Sequence, residues 1–216
     1  MSRALAEALA RRGAYVSVIV PRRPGQPPRE LQGGVEVLTF PPLDIREAVR
    51  LLRNVKADVF HSQDPQFLTA LAQWVRPGAA HMVTCRDPRD TFDWCVEFRD
   101  ATWGRRLRIP LNWFLEAGPL VRWAVRRADA VFTPANFLRE KARRIFRPRV
   151  EVGFMPNLIA VPEPLPEKPD TPMLTFIGRL DKRKRPELFL ELAKTFPEWT
   201  FAVVGRAESE LRDRQL

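Results

Sequence analysis

The chain has 216 residues, of which 45% are hydrophobic and 29% charged, with a formal net charge of +10 and a pI near 10.7. This length suggests one or two domains with a real core, and the composition excludes a disordered chain. The apolar runs, such as 14–20, fall well short of the roughly 18 residues of a membrane span, and Met1 leads into an amphipathic, mixed-charge stretch rather than a secretory signal.

Residues 2–12 read as a helix with Leu5 and Leu9 on one face and Gly13 as its stop. The β-branched run 15–20 predicts a buried strand, the Pro- and Gly-rich stretch 21–34 a loop, 35–40 a strand, and 45–53 a helix with Ile45, Val49 and Leu52 on one face. Residues 57–62 predict a strand, and Pro65 opens the helix that follows it. Further strands are predicted at 81–85, 128–133 and 150–155. A mostly helical region, roughly 98–127, lies before the second of these and a helix at 136–146 before the third.

Residues 156–172 are proline-rich and aperiodic and read as a linker. A second unit begins with a strand at 173–178. A helix follows with Phe189, Leu192, Ala193 and Phe196 on one face, and then a strand at 199–205. Alternation of this kind predicts a parallel sheet covered on both faces.

Cys85 and Cys95 have no cysteine or histidine at metal-ligand spacing, so no metal is expected. Two thiols fit a reducing, cytoplasmic setting. The positive charge is spread along the chain. It suits nucleic acid, anionic lipid or phosphorylated small molecules, or is an arginine-rich solvated surface. No zinc finger or RNP-type aromatic motif is present, and no nucleic-acid partner is expected.

The stretch FIGRLDKRKRPELF at 176–189 carries Gly178, Arg179, Leu180 and Lys184 directly after a strand. With 57–65, 128–141 and FMPN at 154–157, these residues resemble the family 4 retaining glycosyltransferases of GT-B fold. Thr133–Asn136 stand where that family often has serine, and Leu158 stands in place of a glycine. The resemblance implies an α/β protein with a Rossmann-like parallel-sheet acceptor domain over 1–158, a linker at 159–172, and the beginning of a second Rossmann-like, nucleotide-sugar-binding domain at 173–216. It implies a nucleotide-sugar donor, a saccharide, lipid-carrier or small-molecule acceptor, and no metal.

Sugar transfer leaves a diphosphate on which negative charge grows, and fixed cations aimed there lower the barrier. The resemblance assigns Arg179 and Lys184 to that diphosphate. Gly178 lets the backbone come close, and Pro186 starts a helix whose free N–H groups attract phosphate. Lys182, Arg183 and Arg185 read as solvated neighbours. On the acceptor side the candidates are His61 at a strand end, Arg86, Asp87 and Asn157. Arg86 stands where the family usually has histidine. Arginine is no base near neutral pH, though it binds anions. The alternative is that Arg86, Asp87, Arg89 and Asp90 pair around a turn at Pro88.

The segment 103–127 mixes Trp103, Trp113, Phe114 and Trp123 with arginines. The preferred reading is the core face of a helix kinked at Pro110 and Pro119, and the alternative is a lipid-facing surface at the inner side of the membrane. The common strand order 3-2-1-4-5-6 puts the first strand mid-sheet, and no strand precedes the first helix. The 44 residues from Met173 to Leu216 fall short of the roughly 100–150 of a second domain. A chain incomplete at both ends is therefore expected, with weak activity and low stability alone. Two rival classes are a basic nucleic-acid-binding α/β protein and a non-catalytic partner subunit.

Overall fold

The computed structural model describes residues 2–159, 161, 163–165, 167–168, 170–180 and 184–206. The chain falls into two compact units, Met1–Ile159 and Ala160–Leu216. The fold is α/β, with helices and strands interleaved.

The first unit runs α1 (Ser2–Arg11), β1 (Ser17–Pro21), β2 (Arg29–Gln32), β3 (Val35–Phe40), α2 (Ile45–Asn54), β4 (Val59–Ser62), α3 (Phe67–Val75) and β5 (Ala80–Thr84). It continues with α4 (Thr91–Asp100), α5 (Trp103–Arg106), α6 (Ile109–Ala117), α7 (Pro119–Arg127), β6 (Ala130–Thr133), α8 (Asn136–Phe146) and β7 (Val152–Phe154). One ladder is β4-β5-β6-β7, parallel throughout and Rossmann-like. A second ladder is β1-β3-β2, with β1 parallel and β2 antiparallel to β3. Each ladder ends on an edge strand, β4 in one and β1 in the other. Ile19 of β1 and Phe60 of β4 pack against the same cluster of Phe40, Ala48, Leu52 and Leu71.

The sequence explains the boundaries. Gly13 takes φ +87° after α1, a left-handed conformation that glycine adopts without penalty. The Asp44 carboxylate accepts from the Glu47 N–H at the start of α2, and Asp90 forms a capping box with Asp93 at the start of α4. The deepest core lies between β5, β6, β7 and the helices α7 and α8. There Val83, Val121, Val125, Val131 and Val152 are buried. β-Branched valine suits a parallel strand that is covered on both faces.

Three expectations are corrected. The loop at 21–34 contains β2, because Arg29–Gln32 finds an antiparallel partner in β3 and Thr39 Oγ1 donates to Pro27 O at 2.8 Å. The strand at 15–20 is half-buried, with Tyr15 exposed outside it. The segment 103–127 is not one kinked helix. Pro110 and Pro119 each sit in the first turn of a separate helix, where a missing N–H costs no helical bond. Its aromatic residues are not core either: Trp103 is 80% exposed, Phe114 45%, Trp123 42% and Trp113 38%.

In the second unit β8 (Met173–Ile177) and β9 (Thr200–Val204) pair in parallel around α9 (Pro186–Thr195). Phe189 of α9 packs 5.7 Å from Phe176 and 5.3 Å from Phe201, ring centroid to centroid. Leu192, expected on the same face, is exposed. Among the described residues no helix is long and apolar enough to cross a membrane.

Candidate functional site

Parallel strands place their carboxyl ends side by side, and α/β ligands bind at that edge. Here the ends of β4 and β5 carry a connected polar network. Arg86 Nη2 donates to Gln63 Oε1, which turns the Gln63 amide nitrogen toward His61 Nδ1, 3.2 Å away. His61 Nδ1 is therefore an acceptor, and the proton sits on Nε2, which donates to Thr84 Oγ1 at 2.8 Å. Burial, and then the Arg86 charge, push the His61 pKa below its ordinary value. The imidazole is neutral and held from both sides.

Asp64 anchors the other half of the edge. It has φ +117°, in the left-handed region that branched and bulky residues avoid, and it stands directly before Pro65. Its Oδ1 accepts from the Arg86 N–H at 2.8 Å, and the Asp87 N–H also bonds to the carboxylate. Burial raises the Asp64 pKa, with the Arg86 contacts opposing it.

Beside Asp64 opens a cavity of about 200 Å³, lined in part by Asp87, Arg89, Trp94 and Glu116. Arg89 is the hub. It reaches Glu97 at 2.7 Å, Asp87 at 3.3 Å and Glu116 at 3.9 Å, and its guanidinium lies 5.0 Å from the Trp94 ring centre. Burial raises the Glu116 pKa, and Arg89 partly offsets this. The Trp94 indole nitrogen is buried without an acceptor. The result is an acid-rich pocket with one central guanidinium, in a chain of net charge +10. Carboxylates around a single cation offer acceptors to hydroxyl or amino groups of a ligand.

The model of the glycosyl transferase 4-like domain matches residues 1–157, nearly three-quarters of the chain, including the cavity and the His61 network. The chain belongs to this family. No curated protein matches the chain. A glycosyl transferase 4-like domain implies a sugar donor and an acceptor in general.

The predicted candidates separate in this glycosyl transferase 4-like structure. His61 and Arg86 come together through Gln63. Asp87 is solvent-facing and contacts Arg89, so the predicted pairing around Pro88 holds for that pair. Asp90 instead caps α4 and meets Arg144 at 3.0 Å. Asn157 is exposed beyond β7.

Gly178, Arg179 and Lys184 belong to the second unit, outside the matched residues. The Gly178 N–H donates to Val204 O at 3.0 Å. The backbone close approach in this turn falls on Gly205, where a Cβ would lie 2.0 Å from Gly178 O, whereas a Cβ on Gly178 would make ordinary contact. Arg179 and Lys184 are exposed, and Arg185 is the left-handed N-cap of α9, followed by Pro186. Lys182 and Arg183 lie outside the described residues. Among the described residues no three His, Cys, Asp or Glu side chains are grouped to hold a metal ion.

Sequence inspection missed Gln63, Asp64, Trp94, Glu97 and Glu116. Asp64 carried a signal, a carboxylate between a strand end and a proline. Glu116 carried none, since only the fold of α6 brings it to Arg89.

Proposed function

We propose that the protein belongs to a retaining GT-B glycosyltransferase that moves a sugar from a nucleotide sugar to a hydroxyl-bearing acceptor. On this reading the first unit holds the acceptor and the second contributes to the donor site. The observation that carries it is the acid-rich cavity at the carboxyl ends of β4 and β5, inside the family-matched region. The strand orders support the GT-B assignment. The ladder β4-β5-β6-β7 is parallel throughout with helices between its strands, as a doubly wound sheet requires.

In the reaction the bond from the sugar to the diphosphate breaks, a bond from the sugar to the acceptor oxygen forms, and the proton of the acceptor hydroxyl passes to the departing diphosphate. Arg179 and Lys184, with the N-terminal N–H groups of α9, neutralise the charge that develops on the diphosphate. Asp64 and Glu116 accept hydrogen bonds from acceptor hydroxyls, Asp64 held by the Arg86 and Asp87 amides and Glu116 by Arg89. His61, neutral and hydrogen-bonded on both nitrogens, positions Gln63 and Arg86 rather than carrying a charge.

Calorimetric titration with nucleoside diphosphates and nucleotide sugars tests the donor half. Arg179→Gln is expected to weaken binding of the cognate nucleoside diphosphate at least tenfold without changing the fold. Absence of binding to every nucleotide offered, together with salt-dependent binding to duplex DNA, would favour a nucleic-acid protein instead.

A further inference from the structure

A second concave surface lies away from the polar edge. Helices α3 and α7 pack against each other, with Gln73 Nε2 donating to Ala124 O at 2.7 Å inside their interface. Beside this contact Phe67, Ala70, Leu71 and Trp74 of α3 face Leu120 and Trp123 of α7 across a groove of about 400 Å³. No charged or hydroxyl-bearing side chain lines it. Trp74 is 66% exposed, and Trp103, Leu107, Leu111 and Phe114 in the segment before α7 are exposed as well.

The rim is basic. Residues 99–127 contain Arg99, Arg105, Arg106, Arg108, Arg122, Arg126 and Arg127, against only Asp100 and Glu116. Arg127 lies 5.4 Å from the Trp123 ring centre, so a cation and an interfacial aromatic share one spot on α7.

We propose that this face docks on an anionic lipid bilayer, with Trp74, Trp123 and the groove between them entering the headgroup region. Tryptophan favours the membrane–water boundary because its ring is apolar and its N–H polar. Arginines around an apolar face add attraction to acidic headgroups, about fivefold in binding for each near the surface. The same charge decides the occupant. Two copies of this face brought together would oppose their arginine rims, whereas an anionic bilayer neutralises them. Docking there would hold the protein at the membrane, and it is independent of what the cavity beside Asp64 binds.

The test is flotation of the purified chain with phosphatidylcholine vesicles, with and without phosphatidylglycerol, together with tryptophan emission. Binding is expected only with phosphatidylglycerol, accompanied by a blue shift and weakening as salt rises. Trp74→Ser combined with Trp123→Ser should lower the partition at least tenfold. Arg122→Gln with Arg126→Gln should lower it about 25-fold, and chiefly at low salt. Both pairs are solvent-facing, and circular dichroism checks that each variant folds. The proposal falls if the chain ignores anionic vesicles, or if both variant pairs float as the parent does. It also falls if sedimentation shows lipid-free dimers that Trp74→Ser and Trp123→Ser abolish.

Discussion

At Asp64 the chain holds a carboxylate in a conformation that costs on the order of 1–3 kcal/mol for residues other than glycine. Its hydrogen bonds to the Arg86 and Asp87 amides stabilise that conformation and shape the turn after β5. The neighbouring His61 has the opposite protonation problem. The folded protein holds it neutral, whereas the unfolded chain takes up a proton near the ordinary value of 6.5. Its contribution to stability is complete above that pH and declines as pH falls below it, because the unfolded state then binds more protons. His61→Gln is therefore expected to reduce the loss of unfolding free energy between pH 7.5 and pH 5. Urea melts at both values check this, and equal pH dependence in parent and variant would reject it. The Cys85 thiol, pushed up to about 12 by burial, is inert over the same range.

Among the elements, the α6–α7 junction is sharply determined by a single residue. Gly118 closes α6 and caps α7, and a Cβ there would stand 2.2 Å from the Phe114 carbonyl oxygen. Backbone cannot retreat as a flexible side chain can. Gly118→Ala should therefore destabilise the protein by about 1–3 kcal/mol, the usual range for forced overpacking. Chemical denaturation measures it, and a loss below a few tenths would show that the junction relaxes freely. The same junction turns Glu116 inward to Arg89 while Leu120 and Trp123 stay outward. One tight turn thus serves both the polar cavity and the apolar groove.

Across the whole molecule, burial is uneven. Val83, Val131 and Val152 of β5, β6 and β7 are at most 1% exposed, whereas β2 and both strands of the second unit are largely half-buried or exposed. Amide hydrogen exchange should follow this gradient. The slowest amides are expected in β5, β6 and β7, and the fastest strand amides in β2, β8 and β9. Uniform protection across these strands would contradict it. Net charge also acts at this scale. A +10 chain that gathers carboxylates around Arg89 separates an acid-rich pocket from a basic exterior.

Much of the architecture was legible because it depends on local chemistry. Short apolar runs specified β5, β6 and β7, and Gly13 and Pro186 marked helix ends from their own backbone preferences, whereas α3 starts at Phe67, two residues after Pro65. The stretch RELQ of β2 has no strand signature, and only its antiparallel pairing with β3 makes it one. The aromatic residues of α5–α7 misled for a related reason. Large apolar rings suggest a core face, but residue type does not say which face finds a partner. Prolines 110 and 119 looked like kinks until each proved to start its own helix.

By itself, the sequence determined the alternation of strands and helices, the excess of positive charge, and the basic turn at Arg179 and Lys184. These follow from periodicity, composition and short motifs, all readable within a few residues. Tertiary structure alone decided that Asp64, Arg89, Trp94 and Glu116 surround one cavity, and that Trp74 and Trp123 share an outward groove. Apart from Arg89 and Trp94, those residues lie tens of positions apart in the chain. They meet because parallel strands align their ends and because α3 packs on α7, and long-range packing of that kind leaves no periodic trace in the sequence.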